Sequence, residues 1–156
     1  MASNKKIKIL LDASVLIAGT ISTKGASAEI LRKLEEEWKN VFEVHITEQI
    51  LQEVIRNLKG KAPRVLPFFY KILYFSEFSI LPNPSQREAG KFYKIIHHKD
   101  APIIACACKN KIKYLLTFNT KHFMSNSIKK VRLDIIFLTP AQFLDKFRKN
   151  AYRRTF

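Results

Sequence analysis

Glycine is scarce in this chain, 4 residues among 156, and none of the apolar runs opens into a Gly-rich turn. A loop that cradles nucleotide phosphates needs several glycines within a few residues, so that class of site is excluded. Cysteine is scarcer still. Cys106 and Cys108 stand at i, i+2 on a predicted helix and point to different sides, which suits neither a disulfide nor paired metal ligation; both read as small core residues of a reducing compartment. No apolar run approaches the roughly 18 residues that span a bilayer, and MASNKK passes straight into a strand instead of an apolar secretory segment. No membrane association and a cytoplasmic location are therefore expected. Acidic residues are also few, 13 Asp and Glu against 28 Lys and Arg, for a formal charge of +15 and a pI near 10.0. Such an excess favours polyanions, because each neutralised phosphate releases condensed counterions, and nucleic acid leads that list. An anionic membrane is the competitor, but no Lys/Arg helix carries the aromatic face that would dock one. A merely solubilising surface is the plainer alternative.

What is present is an alternation of strand and helix signals. Apolar content of 47% with charged content of 26% is that of a globular chain, and 156 residues suffice for one core. The run before Asp12 reads as a buried parallel strand. A polar loop, Gly19 to Ala26, precedes a helix from Ser27 to about Trp38. Phe42 to Ile46 is a second strand, Thr47 caps a helix from Glu48 to about Leu58, and after the break at 59–63 an aromatic helix reaches Phe75. Phe78 to Leu81 is a short strand closed by a Pro-rich turn, and a less regular helical piece runs from Arg87 to Ile96. Asp100 opens a helix with Pro102 in its first turn, Tyr114 to Thr117 is a fourth strand and Ile135 to Leu138 a fifth. Thr139 and Pro140 start a helix to about Phe147. The expected fold is a three-layer α/β/α sandwich on a mostly parallel sheet, one domain over residues 1–147, with a basic, fraying tail at 148–156.

The few acids take positions that matter. Asp12 ends the first strand, where open α/β sheets bind ligands, although Asp before Ala-Ser-Val is equally a good helix cap, and the stretch alone leaves both readings open. Glu53 lies on the flank of the helix after strand two, Asp100 opens the helix before strand four, and Asn119 follows strand four. Carboxylates that cluster raise one another's pKa unless a cation neutralises them, and hard divalent cations take oxygen ligands. A site of this kind can activate water for phosphodiester cleavage.

The blocks ILLDASVLIAG, ITEQILQEV, DAPIIACA and YLLTFNTKHF, in this order over Ile9 to Phe123, resemble the PIN domain. That is the metal-dependent ribonuclease fold that includes the toxins of VapC-type toxin-antitoxin pairs. The resemblance implies an endoribonuclease that uses Mg²⁺ or Mn²⁺ to hydrolyse RNA phosphodiesters. It makes Asp12, Glu53 and Asp100 the metal-binding acids and puts Asn119 in the place of a fourth residue that is often Asp. Ser14 and Thr117 match small hydroxyl positions beside the pocket. A homodimer and a separately encoded antitoxin are also implied. Because an amide brings no charge, the resemblance leaves room for a rival, a noncatalytic RNA-binding or ribosome-associated PIN module.

Other residues carry plainer expectations. His97 and His98 read as a solvent-facing loop, His45 as a satisfied structural histidine and His122 as part of the turn after strand four. Phe68, Phe69, Tyr70, Tyr74 and Phe75 read as core rather than as a base-stacking platform. Lysines at 5, 6, 8, 109, 111, 113, 129 and 130, with Arg132, Arg148, Lys149, Arg153 and Arg154, are candidates for an electrostatic footprint.

Overall fold

A strand that is apolar on both faces must be covered by helices on both, and that requirement organises the chain. The computed structural model describes the backbone of residues 5–154 and side chains through Arg148. In order, the elements are β1 (Ile7–Leu11), α1 (Ala13–Ile21), α2 (Ala26–Glu35), β2 (Phe42–Thr47), α3 (Glu48–Lys61), a 3-10 turn (Pro63–Val65), α4 (Leu66–Phe75), β3 (Ser79–Leu81) and α5 (Gln86–Gly90). Then come α6 (Ala101–Lys109), β4 (Tyr114–Leu116), α7 (Thr120–Phe123), α8 (Asn126–Val131), β5 (Ile136–Leu138) and α9 (Pro140–Arg154). The strands pair in the order β3-β2-β1-β4-β5, every pairing is parallel, and helices lie on both sides, so the α/β/α sandwich expected from the alternation is the fold observed.

β1 is the middle strand. Ile9, Leu10, Leu11, Leu115 and Leu116 are all 0% exposed, and burying each such side chain is worth about 1.5–3 kcal/mol. From β1 the chain builds β2 and β3 on one flank, then returns to lay β4 and β5 on the other. The order of the strands reverses between β1 and β4, and a crevice at the carboxyl ends of such a pair is where this architecture binds ligands. Leu11 pairs with Leu116, so Asp12 and Thr117 leave the sheet side by side.

Several elements differ from expectation. The first helix continues through Gly19 to Ile21, with the Thr20 hydroxyl donating to the Leu16 carbonyl at 2.7 Å. Glycine is needed at position 19 because α2 packs there: a Cβ would lie 2.5 Å from Leu31 Cδ1 and 3.1 Å from the Ser27 carbonyl. The last helix does not end near Phe147. Phe147 joins an edge-on aromatic cluster with Trp38, Phe42 and Tyr114, Arg148 forms an ion pair with Glu29 on α2 just past the expected end, and the backbone stays helical to Arg154. The segment after β4, with His122 read as part of a turn, instead forms the one-turn helix α7, and α8 follows it. Of the five aromatics assigned to the core on α4, only Phe69 is buried; Phe68, Tyr70, Tyr74 and Phe75 are 47–78% exposed. His45 is buried but not satisfied. Neither ring nitrogen makes a hydrogen bond, Glu43 stands 3.6 Å away, and burial pushes the imidazole pKa down.

Two glycine substitutions should move stability in opposite directions. Gly19→Val forces α1 and α2 apart and should cost about 1–3 kcal/mol, whereas Gly60→Ala, in an open stretch of α3, should gain about 0.5–1 kcal/mol. At this length each 1 kcal/mol moves Tm by about 2–4 °C, so thermal melts followed by circular dichroism will separate the two.

Candidate functional site

Asp12 and Asp100 are both helix N-caps, and they use that position differently. Asp12 is 8% exposed; its Oδ1 accepts from the Ala13 N–H at 2.8 Å, and its Oδ2 accepts from the Thr117 hydroxyl at 2.7 Å and weakly from Ser14 at 3.5 Å. Oδ1 of Asp12 thus acts as the helix cap, while Thr117 holds Oδ2 at the carboxyl ends of β1 and β4. Asp100 makes no side-chain cap bond, which leaves its carboxylate free to face away from its own helix. Its Oδ2 lies 2.7 Å from His122 Nδ1.

A chain of close polar contacts joins the two acids. The Thr117 hydroxyl gives its proton to Asp12 and accepts from the Asn119 N–H at 2.9 Å, while the Asn119 side-chain amide lies 3.1 Å from His122 Nδ1. Ser14 braces the same segment by accepting from the Phe118 N–H at 3.3 Å. His122 is the residue that sequence reasoning missed. Its spacing from Asn119, i to i+3 across the single turn of α7, is the signal that could have found it, since side chains three apart on a helix are neighbours. Beyond it, the His97 ring stacks on His122 at 5.8 Å and 13°, so this exposed loop histidine covers the site's flank. His98 stacks instead on Tyr93 at 4.5 Å. A shallow cleft of about 320 Å³ opens beside His122 between Lys94 and Lys121.

Burial is the largest influence on Asp12 and pushes its carboxyl up; the Thr117 and Ala13 hydrogen bonds oppose this, and the Asp100 charge adds to it. Glu53 is an exposed residue of α3 whose carboxyl is also held up, first by partial desolvation, then by Asp12, with Asp100 contributing less and Arg56 opposing. The three acids therefore feel one another. Among the described residues, however, no three His, Cys, Asp or Glu side chains converge into a group that could hold a metal. In place of the expected cluster stand two acids, Asp12 and Asp100, each held by its own hydrogen-bond partners, with Glu53 coupled to them through charge. That donor set fits a hard cation which keeps most of its water, as Mg²⁺ does when one or two carboxylates hold it.

A consequence for stability follows without any metal. The folded-state pKa of Asp12 is raised, so the folded chain binds its proton more readily than the unfolded chain. Ionisation then weighs against folding at neutral pH, and that penalty disappears once pH falls into the ordinary carboxylate range. Asp12→Asn removes the charge and keeps an acceptor for the Ala13 N–H. In EDTA at pH 7.5 the variant should melt above the wild type, with the gap closing as pH is lowered toward 4; a wild type that is the more stable across this whole range would contradict the assignment.

Solved structures share this architecture. PAE2754 from Pyrobaculum aerophilum superposes with a TM-score of 0.57 at 16% identity, over 84% of this chain and 89% of that one. VapBC-1 from nontypeable Haemophilus influenzae gives 0.59 at 16% identity over 86% and 99%, and VapBC2 from Rickettsia felis, solved bound to a DNA fragment from their promoter, gives 0.58 at 15% over 84% and 97%. At such identities these likenesses speak for the fold alone. Comparison with curated proteins gives no match. The profile of the PIN domain matches residues 9–125, a span that contains Asp12, Glu53, Asp100, Asn119 and His122, and the chain belongs to the PIN-domain family.

Proposed function

We propose that this protein is a divalent-cation-dependent endoribonuclease and the toxin of a toxin-antitoxin pair. The observation that carries the reading is the chain of close polar contacts from Asp12 through Thr117, Asn119 and His122 to Asp100, at the point where the strand order of a PIN domain reverses. In this reading Asp12 and Asp100 would hold Mg²⁺ or Mn²⁺, with Glu53, the third acid, adding negative charge beside them. A cation bound there neutralises the acids and supplies activated water for phosphodiester hydrolysis. Thr117 and Ser14 fix the rotamer of Asp12, and His122 fixes that of Asp100, the support that ligating carboxylates need in order to keep a bound ion in place. With Nδ1–H donated to Asp100, that nitrogen has no lone pair left for the Asn119 NH₂, whose hydrogens stay free to donate to a substrate oxygen. Lys94 and Lys121 border the adjoining cleft, where they attract the RNA backbone.

The partner side of the proposal draws on two neighbours of this fold that are complexes named VapBC. A separately encoded antitoxin and a homodimer are the assemblies we infer, and the exposed aromatics of α4, Phe68, Tyr70, Tyr74 and Phe75, offer apolar surface for such a contact.

Cleavage of a panel of structured RNAs should require millimolar Mg²⁺ or Mn²⁺, stop in EDTA, and stop again in Asp12→Asn. Asn119→Asp should lower the metal concentration for half-maximal cleavage, because it adds a fourth carboxylate. If the entire panel stays intact with the wild type while RNA binding survives both EDTA and Asp12→Asn, the protein is a binding module and the nuclease reading fails.

His122 separates support from bulk. In calorimetric titration with Mn²⁺, His122→Ala should weaken binding about 10–100-fold, the usual effect of losing a carboxylate's hydrogen-bond partner, and His122→Asn, whose amide nitrogen replaces Nδ1, should recover much of it. Equal affinity in all three proteins would remove the role given to His122.

A further inference from the structure

We infer that the amino edge of the sheet, opposite the acids, is a second nucleic-acid groove that grips the phosphate backbone of single-stranded RNA. Two segments far apart in sequence meet there. The Lys113 N–H donates to the Lys8 carbonyl at 2.9 Å, the Ile136 N–H donates to the Lys113 carbonyl at 2.9 Å, and Lys8 Nζ reaches the Asn110 carbonyl at 3.4 Å. The amino ends of β1, β4 and β5 are thereby aligned. A cleft of about 540 Å³ is bordered by Lys5, Lys6, Lys8, Lys111 and Lys113; a second, of about 680 Å³, shares Lys111 and Lys113 and adds Arg132. Glu43 and Asp134 are the acids on these walls. Among the described residues none of the six cations makes a salt bridge, so their charge is available to a ligand.

Backbone conformation also favours such a groove. Three described non-glycine residues have positive φ, and two of them are Lys111 (φ 55°) and Arg132 (φ 53°). A left-handed turn at the end of a helix ordinarily favours glycine, and a residue with a Cβ is held there at roughly 1 kcal/mol of cost. Here both such positions carry an exposed cation at the groove. Lysines predominate, and lysine meets phosphate as a point charge without the bidentate geometry of arginine, which suits a backbone held irrespective of its bases. The edge spans three adjacent strands, about 10 Å at the inter-strand spacing, and a continuous polyanion can follow it. An acidic peptide is the poorer fit. β1 and β4 are interior strands and present only their ends here, so there is no open ladder for a peptide strand to join.

This inference relies on the proposed nuclease only for the choice of RNA as polyanion, and the test is built to fail separately. Binding of a labelled single-stranded RNA is measured by fluorescence anisotropy across a NaCl series, in EDTA and in the Asp12→Asn background, so that cleavage plays no part. Lys6→Gln/Lys111→Gln/Lys113→Gln should reduce the slope of log K against log salt by about 2, at roughly 0.7 for each phosphate that is no longer neutralised. The charge-matched Lys24→Gln/Lys59→Gln/Lys71→Gln, exposed and outside both clefts, should leave the slope unchanged. Thermal melts of both triple variants verify folding. An unchanged slope in the groove variant, or an equal fall in the control, overturns the proposal. Poly-glutamate of matched charge should compete more weakly than RNA, and competition at equal strength overturns the RNA assignment.

Discussion

The hydroxyl of Thr117 has one proton, and Asp12 takes it. That leaves the Thr117 oxygen as an acceptor, which receives the Asn119 N–H and so fixes where the chain goes after β4. A buried carboxylate is tolerated only where its oxygens are paired, and here one oxygen is satisfied by the start of α1 and the other by a strand whose last residues lie more than a hundred positions away. The parallel register of β1 with β4 is what brings the two together, since a one-residue slip would turn Thr117 to the other face of the sheet. Asn119 and His122 inherit their positions from that contact, and through them Asp100 does as well. The site is therefore a property of the central pair of strands rather than of any loop.

Much of this was readable from the residues. The strands showed as apolar runs because a doubly covered parallel sheet needs them; Asp12 stood out because it ends such a run, and Asp100 because it opens a helix just before Pro102. What was not readable is what tertiary contact decides. The pattern of α4 looks like core because aromatics usually are, yet only one face of that helix is covered, and Phe69 with Ile72 occupies it. α9 looked finished at Phe147 because the residues after it are basic, but the Glu29 carboxylate that pairs with Arg148 lies on a helix remote in sequence. His122 looked like a turn residue since nothing local says that Asp100 will face it. The lysines at 5–8 and at 111–113 were visible as two clusters, and their convergence on one groove required the β1–β4 pairing to be known.

That pairing also bears on a tension between the overall charge and the proposed cation site. A chain of +15 repels divalent ions at long range, so the distance from the amino-edge lysines to the acids matters. Lys8, the amino-edge lysine nearest to Asp12 along β1, is separated from it by about 13 Å at the strand rise of 3.3 Å per residue, more than the physiological screening length of about 8 Å. The charges that bear on Asp12 and Glu53 accord with this: they are the acids themselves, with Arg56 and Lys99, and none of the amino-edge lysines is among them. Parallel strands make such a division possible, because all their carboxyl ends lie on one side of the sheet and all their amino ends on the other. Lysines gathered on one edge thus lie clear of the acids on the other, and the sheet that holds the two apart is the same apolar core that stabilises the fold.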